Sequence, residues 1–169
     1  SELLCFPSSS KFSIGAEINH VKSRDFRQLL KYRDESGLKK INGHLSGYYD
    51  TGFYDYIAQL DYGTYLAGDK GSTFTLTRDF RNGWKVGGFF TLTDASFTDF
   101  GEGSFDKGIF FSLPLNPAIP FETRSSVSEK IRPIQGDGGA RVIVPGRLYD
   151  ILREKSEIDI SKTWPRIWR

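Results

Sequence analysis

The strongest constraint on this chain is a period of two. In residues 11–20, Phe12, Ile14, Ala16 and Ile18 fall on one side of an extended backbone. Ser13, Gly15, Glu17 and Asn19 fall on the other. Successive side chains of a strand point to opposite faces, so this spacing predicts a strand with one apolar face. The pattern recurs. Tyr54, Tyr56, Ala58, Leu60 and Tyr62 share a face in residues 53–62, with Phe53 and Ile57 as exceptions. Phe74, Leu76 and Phe80 oppose Thr73, Thr75, Thr77 and Asp79, and Arg78 breaks the apolar side near a turn. Trp84, Val86, Phe90 and Leu92 oppose Lys85, Gly87, Thr91 and Thr93. Ile109, Phe111, Leu113 and Leu115 oppose Gly108 and Ser112.

Turn chemistry falls between these runs. Asn82-Gly83 tolerates the positive φ that a tight hairpin needs. Residues 68–71 (GDKG) and 136–139 (GDGG) are further breakers, and Asn42-Gly43 and residues 50–52 (DTG) are weaker ones. Eighteen glycines, fourteen phenylalanines and eight tyrosines suit twisted antiparallel sheet better than helix. The expected fold is all-β, an antiparallel up-and-down β-barrel of the outer-membrane type or part of one, built from about seven strands. Residues 1–145 form this segment. Residues 146–169 hold a short helix, with Leu148, Ile151 and Leu152 at helical spacing, and a basic, aromatic tail.

Several function classes drop out. The single cysteine, Cys5, allows no internal disulfide. His20 and His44 are the only histidines and lack partners at ligand spacing, so no metal site and no cofactor are expected. No Ser-His-Asp signature is present. The net charge of +2 gives no footprint for nucleic acid. No apolar run is long enough for a membrane-spanning helix, which leaves strands untouched. The lack of any Met suggests a processed chain or a piece of a longer protein.

Alternation does not say which face looks inward. A soluble barrel or sandwich buries its apolar face. An outer-membrane barrel turns that face to lipid and lines its lumen with polar groups. The small polar residues Thr73, Thr75, Thr77, Thr91 and Thr93 suit a wet lumen, and Tyr54, Tyr56, Tyr62, Trp84 and Phe90 suit interfacial aromatic bands.

Residues 61–115 carry a resemblance. The elements are residues 65–69 (YLAGD), 78–80 (RDF), Asn82-Gly83, 91–94 (TLTD) and 99–108 (DFGEGSFDKG), followed by 137–141 (DGGAR) and Leu148-Tyr149. Together they resemble the YjbH-type proteins of bacterial exopolysaccharide and capsule biosynthesis. The resemblance implies the C-terminal portion of a longer outer-membrane β-barrel in Gram-negative bacteria. Implied partners are outer-membrane lipid, polysaccharide, other polysaccharide assembly proteins, or a second chain completing the barrel.

The candidate site residues are charged groups that would line a lumen or touch a glycan. They are Lys85, Asp94, Asp99, Glu102, Asp106, Arg124, Arg132 and Arg141. The aspartates are expected to meet a cation such as Lys85, because charge inside a barrel is costly unless paired. The arginines offer planar donors suited to anionic sugar. The expected function is a non-catalytic path or docking surface for exopolysaccharide assembly or export. One alternative is a soluble β-barrel or sandwich module that binds a glycan. Another is an enzyme acting on the polymer through Glu102 and Asp106, a pair that lacks an apolar pocket to raise one pKa.

Overall fold

A computed structural model describes residues 1–8, 10–21, 41–66, 68–80, 82–94, 105–115, 126–133, 139–144 and 146–153. Eight strands follow one another: β1 Glu2–Cys5, β2 Phe12–His20, β3 Ile41–Asp50, β4 Tyr56–Thr64, β5 Lys70–Asp79, β6 Lys85–Thr93, β7 Asp106–Pro114 and β8 Ser126–Ile131. Among the described residues a helical stretch, α1 Leu148–Arg153, comes after them. Each strand pairs antiparallel with its sequence neighbour, giving one meandering sheet in the order β1 to β8. The alternating runs at β2 and β5–β7 lie where the sequence placed them, whereas β4 begins at Tyr56, so Phe53 and Tyr54 of the expected run fall in the turn before it.

The expected barrel is corrected. Among the described residues β1 pairs only with β2 and β8 only with β7, so the sheet is open. Closure requires the first and last strands to share a hydrogen-bonded ladder, and the four residues of β1 and six of β8 spend theirs on one neighbour each. An open edge in hydrocarbon leaves backbone N–H and C=O groups unpaired. The chain itself is therefore not the outer-membrane barrel the sequence suggested, and outer-membrane lipid is withdrawn as a partner of these strands. No helix among the described residues is long and apolar enough to cross a membrane, a statement that concerns helices alone.

Two further expectations shift. Asn42-Gly43, read as a turn, lies inside β3 and pairs with Ile18 and Asn19. The strand β8 escaped the sequence reading. Asn82-Gly83 does turn β5 into β6: Gly83 has φ 89° and its N–H donates to Phe80 O at 2.9 Å. Gly68, also at φ 89°, turns β4 into β5, but Lys70 and Gly71 of the expected breaker are already strand.

The sheet buries its polar face. Ser13, Glu17, Asn42, His44, Ser46, Asp61, Thr91 and Asp106 are buried, while Ile14, Ile18, Leu45, Leu60, Tyr62, Phe90, Leu92 and Ile109 are exposed. Residues 139–144 and 146–153 cover part of the polar face. At one end Gly139 N–H donates to Asp69 Oδ2 at 2.9 Å, and Leu66 N–H donates to Ala140 O at 2.9 Å. Toward the other end Tyr149 stacks on Tyr48 with ring centroids 3.8 Å apart and 8° between planes. Such a pair adds about 1 kcal/mol beyond its buried area. Leu148 N–H donates to Glu2 Oε2 at 3.1 Å, and Arg153 is ion-paired with Asp79 at the end of β5. Leu4 and Phe6 pack against the small core formed by Tyr48, Ile57 and Tyr149.

Candidate functional site

The polar face is held by one charge cluster. Register sets Glu17 opposite His44 and Ser46 opposite Asp61. Arg141 reaches both carboxylates, Glu17 Oε2 at 3.1 Å and Asp61 Oδ2 at 3.1 Å. Arg147 adds a contact of 3.0 Å to Glu17 Oε2, and His44 Nδ1 lies 3.6 Å from Glu17 Oε1. Burial pushes the Glu17 carboxyl up, but His44, Arg141 and Arg147 outweigh it and bring the pKa from 4.5 down to about 2. Burial also works against the Arg141 charge, yet Asp61 and Glu17 raise its pKa above the usual value. Beside this cluster Thr73 and Thr91 share a hydroxyl hydrogen bond of 2.8 Å across β5 and β6. Glu17 and Asp61 are ion-paired with Arg141 and Arg147, which ties those two arginines to β2 and β4, while both His44 ring nitrogens and Arg141 Nη2 are buried without a hydrogen bond among the described residues.

A cleft at the rim is open instead. It lies where the β3–β4 and β5–β6 connections meet. Gly52, Tyr54, Asp55, Arg78, Asp79, Phe80 and Asn82 line about 590 Å³. That volume falls within the usual range for small-molecule sites. Its geometry begins with an unusual backbone. Tyr54 and Asp55 take φ 46° and 59°. Asp tolerates the left-handed region, but a tyrosine there is costly. The neighbours enforce it. Thr51 N–H donates to Tyr56 O at 3.1 Å, Tyr56 N–H to Phe53 O at 3.0 Å, and Asp79 N–H to Asp55 O at 3.1 Å. The result is a Tyr54 side chain held 65% exposed at the mouth.

Arg78 sits among the rings. Its guanidinium carbon is 4.5 Å from the Phe80 centroid, 5.5 Å from Tyr56 and 5.7 Å from Tyr54. Its Nε donates to Tyr54 O at 3.2 Å. This is the residue that broke the apolar alternation of β5, and the break marks the cleft. Asp79 beside it is neutralised by Arg153. Asn82 Oδ1 accepts from Trp84 N–H at 3.2 Å, which fixes that side of the opening. Aromatic faces with fixed planar polar groups can hold a polyhydroxylated ring: the rings cover its C–H face while amide, carboxylate and guanidinium meet its oxygens.

The sequence-predicted residues are scattered. Arg141 is the centre of the polar cluster. Asp106, first residue of β7, is buried, and its Oδ2 lies 4.0 Å from Arg132, whose side chain is 53% exposed. Asp94 closes the end of β6 by accepting from Lys70 N–H at 2.7 Å. Lys85 begins β6 opposite Asp79, and Asp94 follows the other end, about 30 Å away at the rise of a strand. Asp106 pairs across with Thr91, near the Asp94 end, so Lys85 meets neither aspartate. Asp99, Glu102 and Arg124 lie outside the described residues, as do Trp164 and Trp168. Among the described residues no cluster of His, Cys, Asp and Glu is arranged to hold a metal ion. The cleft residues Tyr54, Asp55 and Asn82 were missed as a site because they come together through two separate turns. The one signal was Arg78.

Comparison with known proteins places the chain. Residues 1–154 match the profile of the family described as exopolysaccharide biosynthesis protein YbjH. The chain is 36% identical over 160 residues to an uncharacterized lipoprotein, YjbH, of Escherichia coli strain K12. The alignment covers 92% of this chain and 22% of that protein, so the chain spans about a fifth of its relative's length. No solved structure matches. The chain belongs to the YjbH family of exopolysaccharide biosynthesis proteins.

Proposed function

We propose that this chain is a non-catalytic β-sheet module that binds polysaccharide during exopolysaccharide assembly. The observation that carries the reading is the rim cleft, an opening walled by Tyr54 and Phe80 and edged by Asp55, Arg78, Asp79 and Asn82. The family supplies the polymer setting. Partners are then the polysaccharide and other assembly proteins. The related protein is described as a lipoprotein. An envelope location at the outer membrane follows for this module if a lipid on the longer polypeptide holds it there, since acyl chains anchor without any spanning strand.

Catalysis has no comparable support. Asp106 is buried at the start of β7, 4.0 Å from Arg132, and Glu102, the other half of the pair, lies outside the described residues. The test is affinity electrophoresis of the folded chain through gels containing exopolysaccharide. Retardation that falls about tenfold in apparent affinity on Tyr54→Ala supports the reading, a loss within the range for an aromatic anchor. Equal mobility with and without polymer sinks it.

A further inference from the structure

Resting on the glycan reading of the rim cleft, we propose that its ligand is an anionic glycan, one whose sugars carry carboxylates, and that Arg78 is the group that selects it. Arg78 has one hydrogen bond to the described residues, and it uses Nε. The two terminal nitrogens make none with them. A guanidinium with Nε tied down and both terminal nitrogens available is a fixed fork, and a carboxylate matches that fork with two parallel hydrogen bonds.

The rings around it decide the orientation. Phe80, Tyr56 and Tyr54 stand within 4.5–5.7 Å of the guanidinium carbon. Their π-faces attract the guanidinium charge and hold it at the cleft, while its terminal nitrogens make no hydrogen bond to the described residues. A neutral sugar gains little from that edge, because hydroxyls are met equally well by water. A uronate gains a charge-assisted pair in a partly dehydrated setting, where such pairs are strongest.

The other charges of the cleft do not cancel the preference. Asp79 is held by Arg153 from α1, which leaves it neutralised. Asp55 is fixed through its backbone, whose carbonyl accepts from Asp79 N–H at 3.1 Å, and it makes a further interaction of its own. Lys and Arg are not equivalent at such a site: an ammonium keeps the charge but loses the fork.

The experiment is calorimetric titration of the folded chain with two oligosaccharides of equal length, one of galacturonate and one of glucose. The wild type is expected to bind the galacturonate oligomer at least about tenfold tighter, with affinity that falls as salt is raised. Arg78→Gln should erase the preference, and Arg78→Lys should keep part of it; both retain a long stem against the rings, and far-ultraviolet circular dichroism checks their fold. Equal or tighter binding of the glucose oligomer overturns the anionic ligand and leaves the glycan reading standing. Galacturonate binding untouched by Arg78→Gln overturns the role of Arg78. Failure of both oligomers to bind removes this inference together with the reading beneath it.

Discussion

Replacing Arg141 with Ala should unfold the molecule more readily than any other single surface-to-face change. Arg141 is the only described residue that joins Glu17 on β2 to Asp61 on β4, at 3.1 Å each. Both carboxylates are buried. The Glu17 pKa, lowered from 4.5 to about 2, corresponds to about 3 kcal/mol of folding free energy at neutral pH, shared among His44, Arg141 and Arg147 against the cost of burial. Arg147 remains to Glu17 in the variant, but Asp61 loses its guanidinium. Removing one partner of a buried pair costs about 3–5 kcal/mol. The expected loss for Arg141→Ala is therefore about 3 kcal/mol. Urea unfolding followed by circular dichroism measures it as a lower midpoint at an unchanged slope. Replacing the set together, Glu17→Gln with Asp61→Asn and Arg141→Met, should recover part of the loss, because neither carboxylate is then left charged and buried, although Arg147 loses its partner at Glu17. A cost below about 1 kcal/mol for Arg141→Ala would refute the claim that this cluster fastens residues 139–153 to the sheet.

Acid should weaken the same lock. A depressed folded-state pKa stabilises above the unfolded value, so the Glu17 contribution is complete above about pH 4.5 and is lost as pH falls toward about 2; urea midpoints across that window should fall more in the wild type than in Glu17→Gln. Burial raises the Tyr149 phenol to about 12, so its contribution is intact below about pH 10 and disappears as pH rises through about 12. Burial raises the Tyr48 and Tyr65 phenols as well, so ultraviolet titration should show several late-ionising tyrosines, one of which Tyr149→Phe removes. Gly108→Ala should cost about 1–3 kcal/mol by thermal or urea unfolding, because the new methyl would meet Ile131 O at 2.6 Å and the Phe89 ring at 2.8 Å. A neutral result there would mean that β7 and β8 pack more loosely than the register implies.

The meander was legible in the sequence because each of β2 and β4–β7 carries its own alternation and because Asn82-Gly83 has a turn preference of its own. The strand β3 was hidden by a local signal: Asn42-Gly43 looks like a turn, yet the strand is fixed by ladders to β2 and β4 on both sides. The strand β8, Ser-Val-Ser-Glu-Lys-Ile, is exposed throughout and leaves only weak patterning. Which face is covered was not legible, since alternation is symmetric between inside and outside. It is settled by Arg141, Arg147 and Tyr149, which bind Glu17, Asp61 and Tyr48 from far along the chain. Closure was misjudged for a related reason. Strand count and alternation say nothing about whether β1 and β8 meet. At the candidate site, Arg78 stood out as a charge on an apolar face, but the left-handed Tyr54-Asp55 pair that completes the cleft has no sequence signature.

The most direct test of the glycan reading is backbone amide chemical-shift mapping of the isotope-labelled chain during titration with exopolysaccharide fragments. The reading expects dose-dependent shifts at Gly52, Tyr54, Asp55, Asp79 and Asn82, with little change at Glu17, His44 and Asp61 beneath residues 139–153. Shifts confined to other surfaces, or none at saturating fragment, would contradict it.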